Sequence, residues 1–416
     1  MAIENPSSLS TADDAAWFAR IWALGIGVLL AVTFPLWLRS WRAAPEFPRI
    51  NWIALPQSPG WVAVMEYAAL TVLVVALGAI VWNGRRRWIW WLVMVALGIL
   101  IVIDQHRFQP WAYQTLLYAS VLGALPWREG RRWFVAIAIS IYFYSAAGKL
   151  DYQFVHTVGS QMVDALLSPV VDVADDWAVI IAFALPVSEL TIAALLVFPK
   201  TRRVGGVCAI AMHVTLIVLL GPWALGHSLG VLAWNGLLAT QSWVLFVRKP
   251  TWIKAVDINN KASFASILRW SVRLVVATAL LAPLTERYEY WDHWTSWALY
   301  SPHNSRADIQ IHRSALNSLP KPMRESVVKD EDGDGWGTLD FQRWSLRRRG
   351  VPVYPQARYQ LALALELARR NDLDQSIRVK LKGVSDRWSG KRNETFLIGR
   401  NELERQMEEF WLRVRD

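Results

Sequence analysis

Long apolar stretches recur along the first two thirds of the chain, at about 17–38, 61–83, 88–104, 110–126, 133–149, 177–198, 204–221, 228–247 and 267–285. Each approaches the ~20 residues that carry a helix across the hydrocarbon of a bilayer. The pattern therefore predicts nine transmembrane helices. Ahead of them, in the segment 1–16, "STADD" reads as a helix start, with Ser10 and Asp13 or Thr11 and Asp14 forming a capping box. The polar stretch 150–177 reads as a loop. From about 286 the apolar runs shorten and charge rises. "ADIQIHR" and "SIRVKLKG" alternate as strands do, whereas "ARYQLALALELARRN" and "LIGRNELERQMEEFWLRVR" have helical spacing. The expected architecture is an all-α polytopic membrane helix bundle over 17–285, followed by a small C-terminal α+β extramembrane domain over 286–416.

Composition supports the membrane reading. The chain is 54% hydrophobic and 19% charged, against about a quarter charged in a soluble domain. Tryptophans stand at run ends, among them Trp61, Trp82, Trp88, Trp90, Trp91 and Trp111, as in the aromatic belts of membrane interfaces. Cys208 is the single cysteine, which excludes an intrachain disulfide and a cysteine-based zinc site. The first residues lack a basic region and do not read as a signal peptide. Basic clusters fall at alternate connections: "GRRR" (84–87), "REGRR" (128–132), "KTRR" (200–203) and "RKPTWIK" (248–254). Cytoplasmic loops carry such excess, so the N-terminus is expected in the cytoplasm and the C-terminal domain outside. Arg39, Arg42 and Arg49 in the connection 39–60 run against this scheme. The net charge of +10 then reports topology. The expected partner is the lipid bilayer and not nucleic acid.

Ionisable side chains in or beside membrane helices are costly to bury and so mark functional candidates. Asp104 and His106, with Arg107, follow the third run. Lys149 and Asp151 end the fifth, Glu189 lies in the sixth, His213 in the seventh, His227 before the eighth and Asn235 within it. Brought together, they would line a polar pocket opening to the outer side. Simpler readings stay open. Lys149 can snorkel to the headgroups, His213 can be a hydrogen-bonded packing residue, and His106 and His227 can be ordinary loop residues. The small residues of "SAAG" before Lys149 invite close helix approach, which favours a packed lysine. A packed amine beside a histidine would be a candidate general base, while Asp151 would hold it as a cation. Glu189 must be paired, protonated or wet. No histidine and carboxylate set has metal-site spacing, so no metal is expected there. A weaker cation candidate is "DEDGDGWGTLD". Asp330, Asp332 and Asp334 follow the first half of a calcium loop, but Phe341 stands where a bidentate Glu is needed and Asp340 falls one residue early. An acidic turn is the preferred reading.

The stretch "YFYSAAGKLDYQFVHTVGSQMV" resembles the membrane signature of vitamin K-dependent γ-carboxylases and the related bacterial horizontally transferred transmembrane (HTTM) proteins. "DQHRFQPWAYQTLLY" and "AMHVTLIVLLGPWALGHSLGVLAWN" are similar to neighbouring segments of that family, and the resemblance covers about 10–300. It implies a nine-span bundle in a bacterial inner membrane and a quinone or quinol cofactor. Lys149 would be the base that deprotonates the quinol, His106 its supporting partner, and His213 and Glu189 pocket residues. The activity would be carboxylase-like, of the carbon–carbon lyase class, or a quinol-dependent oxidoreductase. Gly148 departs from the pattern, because the carboxylases carry a second lysine there, and the C-terminal domain is unlike theirs. "PVSELTIAALL" and the helix pattern also resemble the DoxX/MauE redox-associated membrane proteins. That resemblance implies a non-catalytic protein supporting an electron-transfer or maturation partner, docked through the extracytoplasmic domain.

Overall fold

Every apolar run is helical. The computed structural model describes residues 6–38, 47–53, 59–171, 173–248, 263–328 and 333–410. Helix α1 (Pro6–Val32) leads through Thr33 into α2 (Phe34–Trp37), followed by α3 (Pro59–Trp82), α4 (Ile89–Ile103), α5 (Pro110–Ala124) and α6 (Trp127–Lys149). After these come α7 (Tyr152–Phe154), α8 (Ser160–Leu167), α9 (Asp175–Val197), α10 (Arg202–Leu220), α11 (Leu229–Ser242) and α12 (Ser263–Leu281). Helix α1 begins at Pro6, so Ser10 and Thr11 lie inside it.

The expected nine crossings are matched only in part. Among the described residues, six helices are long and apolar enough to cross a membrane, or seven if α6 and the helix bent away from it are counted as one. Helices α4 and α5 make the difference. Each has 15 residues, which at ~1.5 Å per residue gives about 22 Å, short of the ~30 Å hydrocarbon core. Helix α5 is also internal, with only Leu116 and Gly123 not buried. Its polar side chains find partners inside the protein: Gln114 and Tyr118 both donate to Gln241 Oε1, at 2.8 and 2.9 Å. The stretch after α6, expected as a loop, is largely helical. The chain turns by 80° beyond Lys149, Asp151 caps α7 by accepting from the Gln153 N–H at 2.9 Å, and a π-turn (Val155–Gly159) leads into α8. The tryptophans divide as well. Trp61, Trp82 and Trp88 are exposed at helix ends, as a belt requires, whereas Trp90 and Trp111 are core residues.

The basic connections gather at one end of the bundle. Arg85 pairs with Asp13, Arg248 with Asp14, Arg87 bonds the Leu122 carbonyl, and Arg131 the Leu245 carbonyl. The sheet domain sits at the other end. Its strands β1 (Arg306–His312), β2 (Val327–Val328), β3 (Trp336–Leu339), β4 (Ile377–Lys382) and β5 (Glu394–Ile398) form one antiparallel sheet in the order β2-β3-β1-β4-β5. Ala307, Ile309 and Ile311 alternate inward from β1 and share a core with Leu361, Leu363, Ala364 and Leu367 of α15 (Ala357–Arg370). Three shorter helices, α13 (Lys321–Arg324), α14 (Phe341–Arg349) and α16 (Arg400–Glu409), complete the domain. Phe47 and Ile50, from the connection after α2, belong to the same core. The strands begin at Arg306. Residues 286–305 form a wedge in which Trp297 joins the bundle core and Trp294 the domain core.

Ion pairs fasten the two parts. Arg349 on α14 reaches Asp104 at 2.8 Å, and Arg358 of α15 reaches Asp292 of the wedge at 2.7 Å, while Arg107 pairs with Glu66 of α3 within the bundle. His106 serves this interface. Its Nε2–H donates to the Pro352 carbonyl at 2.9 Å, its ring lies against Phe47 and Tyr359, and its Nδ1 is buried without a partner. Of the acidic turn, Asp330 and Asp332 lie outside the described residues. Asp334 accepts from Arg378 at 2.8 Å, and Asp340 caps α14 by accepting from the Arg343 N–H at 2.9 Å.

Burial, reinforced by Arg349, pushes the His106 pKa down to about 4, below its unfolded value of ~6.5. The neutral ring is the folded form, so its contribution is complete above the unfolded value and is lost as pH falls from ~6.5 towards ~4. Thermal unfolding of the wild type should therefore drop across that window. His106→Gln, which keeps an N–H donor but does not titrate, should flatten the drop; an unchanged pH profile would contradict the assignment.

Candidate functional site

Lys149 occupies the last turn of α6, where unpaired carbonyls favour a cation. It does not snorkel. The residue is 4% exposed, and its amine donates to Glu189 Oε1 at 2.6 Å and to Ser145 Oγ, one turn earlier, at 2.8 Å. Ser145, the first of the small residues in "SAAG", thus supplies an acceptor as well as room. Glu189 projects from α9 one turn after Pro186, a residue that removes one helical hydrogen bond. Its Oε2 is buried without a partner.

A second network lies on the same helices. Tyr142 of α6 shares hydrogen bonds with His213 Nε2 on α10 at 3.0 Å and with Ser242 Oγ on α11 at 2.8 Å. His213 Nδ1 meets Asn235 Oδ1 at 2.9 Å, and the Asn235 amide donates to the Val231 carbonyl. This fixes the imidazole: Asn235 Oδ1 is an acceptor, so Nδ1 carries the proton and Nε2 receives from Tyr142. Tyr300, from the wedge, touches both groups. Lys149 Nζ lies 5.9 Å from its ring centroid. Burial pushes its phenol pKa up and the Glu189 charge adds to this, while a hydrogen bond with Asn235 works against it.

The structure thus brings Lys149, Glu189, His213 and Asn235 into one buried region and separates the other candidates from it. Asp104 and His106 belong to the domain interface, so the expected support of Lys149 by His106 is corrected: the hydrogen bonds of Lys149 go to Ser145 and Glu189. Asp151, expected to hold the Lys149 cation, pairs with Arg287 and caps α7. His227 is exposed, its ring edge-on to Tyr300 at 5.8 Å. Sequence reasoning passed over Tyr142, Ser242 and Tyr300. Tyr142 could have been found as a hydroxyl inside a membrane run, which must seek a partner. Ser242 and Tyr300 carried no such signal.

One group of potential metal ligands also escaped. Glu286, His293 and His303 place three ligand atoms within 4.8 Å of one another. His303 abuts α6 at Gly148. A Cβ on that glycine would lie 2.8 Å from Ser301 Oγ and 3.4 Å from His303 Cε1. The missing side chain is what lets the wedge reach the helix beside Lys149.

The comparisons with known proteins fall on this region. Residues 132–231 match the family described as methylamine utilisation protein MauE. The match takes in α6, α9 and α10 with Lys149, Glu189 and His213, and stops before Asn235. No curated protein and no solved structure matches the chain. Of the two resemblances read from the sequence, the match supports the MauE one. With its apolar helices, it identifies an integral membrane protein.

Breaking a buried ion pair leaves one charge uncompensated, at a cost of about 3–5 kcal/mol. Lys149→Met and Glu189→Leu should each lower the unfolding temperature in detergent markedly, and the double variant should recover much of the loss. Single variants that leave stability unchanged would contradict the pair.

Proposed function

We propose that this chain is a membrane redox-support protein of the MauE-like kind, with the region around Lys149 and Glu189 as its functional centre and the C-terminal domain as the part that meets a water-soluble partner. The observation that carries this reading is the commitment of Lys149. A carboxylate 2.6 Å from the amine favours its ammonium form, which has no lone pair to accept a proton. The base chemistry of a carboxylase asks for the opposite. The family match over the same helices points the same way. Within this proposal the basic end faces the cytoplasm of a bacterial cell and the sheet domain faces outward. A quinone or quinol is the ligand class we assign to the centre, because Glu189 Oε2 has an acceptor to offer a hydroxyl.

The test is genetic and spectroscopic. Cells lacking the chain should accumulate an exported redox protein in immature form, read by thiol labelling and by its cofactor spectrum. Wild-type protein should restore maturation, and the stable Lys149→Met/Glu189→Leu double variant should not. Quinol-dependent oxygen uptake or carboxylation by the purified chain alone would overturn the reading.

A further inference from the structure

We propose that Glu286, His293 and His303 form a binding site for a first-row divalent transition metal of the Zn2+ type. The three residues lie in the wedge between the bundle and the sheet domain. His293 Nδ1 is 2.7 Å from Glu286 Oε1, and His303 Nε2 is 3.1 Å from Oε1 and 2.9 Å from Oε2. The side chains are 4%, 0% and 10% exposed for His293, His303 and Glu286 respectively. Two imidazole nitrogens and one carboxylate are a donor set that zinc takes at ~2.0–2.2 Å per ligand, with a further position open to water or substrate. The same set also suits other metals of the series. The carboxylate already lies about 3 Å from each imidazole nitrogen, and all three donor atoms lie within 4.8 Å of one another, so small side-chain shifts would admit an ion at those lengths.

Three further features fit a ligand clamp better than a chance cluster. First, the backbone is strained around the ligands. Of the five non-glycine residues with positive φ among the described residues, Glu289 (62°), Trp297 (57°) and Tyr300 (58°) lie between Glu286 and His303. Such conformations persist where surrounding structure over-determines them, as at ligand sites. Second, the cluster is tied down from both sides. Arg287 bonds Asp151 and the Ser385 carbonyl, and the Ser385 N–H bonds the His303 carbonyl at 2.9 Å. Third, His303 Nδ1 is buried without a partner, so among the described residues the carboxylate at Nε2 is the polar engagement of that ring.

Metal binding would use the lone pairs of His293 Nδ1 and His303 Nε2 and would move each ring proton to the opposite nitrogen, so no oxidant or co-reactant is required. The alternative occupant of the same geometry is a pair of N–H donors on one carboxylate, with no ion. The experiment separates them. Full-length protein purified in detergent is stripped with a chelator, then titrated with Zn2+ and, separately, with Co2+. His293→Asn and His303→Gln keep an N–H donor for Glu286 but are poor ligands. The proposal expects one equivalent of metal in the wild type, a rise in unfolding temperature on binding, and the visible spectrum of four- or five-coordinate cobalt. The variants should bind roughly tenfold or more weakly, since even an outer partner of a ligand is worth ~10–100-fold. Wild-type protein that takes up no metal, or variants that bind as tightly as wild type, would overturn it. Should a variant not fold, the cobalt spectrum of the wild type decides: that of the aqueous ion overturns the site.

Discussion

A charge taken out of water must meet its opposite, and the organisation of this chain reflects that constraint. An unpaired acidic or basic side chain at mid-membrane costs about 2.5–3.5 kcal/mol even on the mildest scale. Lys149 meets Glu189, Arg107 meets Glu66, Asp104 meets Arg349 and Asp151 meets Arg287. The first two pairs join helices of the bundle. The other two join the bundle to the C-terminal part of the chain, through Arg349 of the sheet domain and Arg287 of the wedge. The domain is therefore built into the end of the bundle, with Phe47 and Ile50 sharing its core and Trp297 and Val351 sharing that of the bundle.

This arrangement explains how the two polar regions divide the work. The connection after α4 uses Asp104 and His106 to hold the domain and Arg107 to hold α3. Helices α6, α9, α10 and α11 enclose a second, buried region, in which Ser145 and Glu189 hold Lys149, and Tyr142 and Asn235 hold His213. The MauE match covers three of those four helices and neither the N-terminal helices nor the domain. What is shared with that family is thus the part that holds Lys149 and Glu189. The wedge from 286 to 305 lies between that part and the domain, so anything bound there would feel both.

The helices were legible in the sequence because their apolar runs are long and sharply bounded. Whether each run crosses a bilayer was not, since α5 is apolar for burial among other helices and carries Gln114 and Tyr118 for contacts within the protein. Lys149 stood out because a basic residue comes after small ones at the end of an apolar run. Its partner did not, because Glu189 lies forty residues away on a helix that only packing brings alongside. Asp151, close in sequence, was the natural but mistaken candidate, as an 80° bend separates their roles. His106 was misread for a related reason: its surroundings come from Phe47, Pro352 and Tyr359, which no local pattern connects. Glu286, His293 and His303 have irregular spacing, set by a strained turn and not by a helix or strand period.

The central claim is that Lys149 and Glu189 are an ion pair inside the protein. Infrared difference spectroscopy of wild type against Glu189→Gln, at neutral pH in lipid, tests it most directly. The account predicts loss of ionised carboxylate bands, with a shift in those bands when Lys149 is replaced by Met. Loss of a protonated carboxyl band would contradict it, because Glu189 would then be neutral and Lys149 would have no counter-charge.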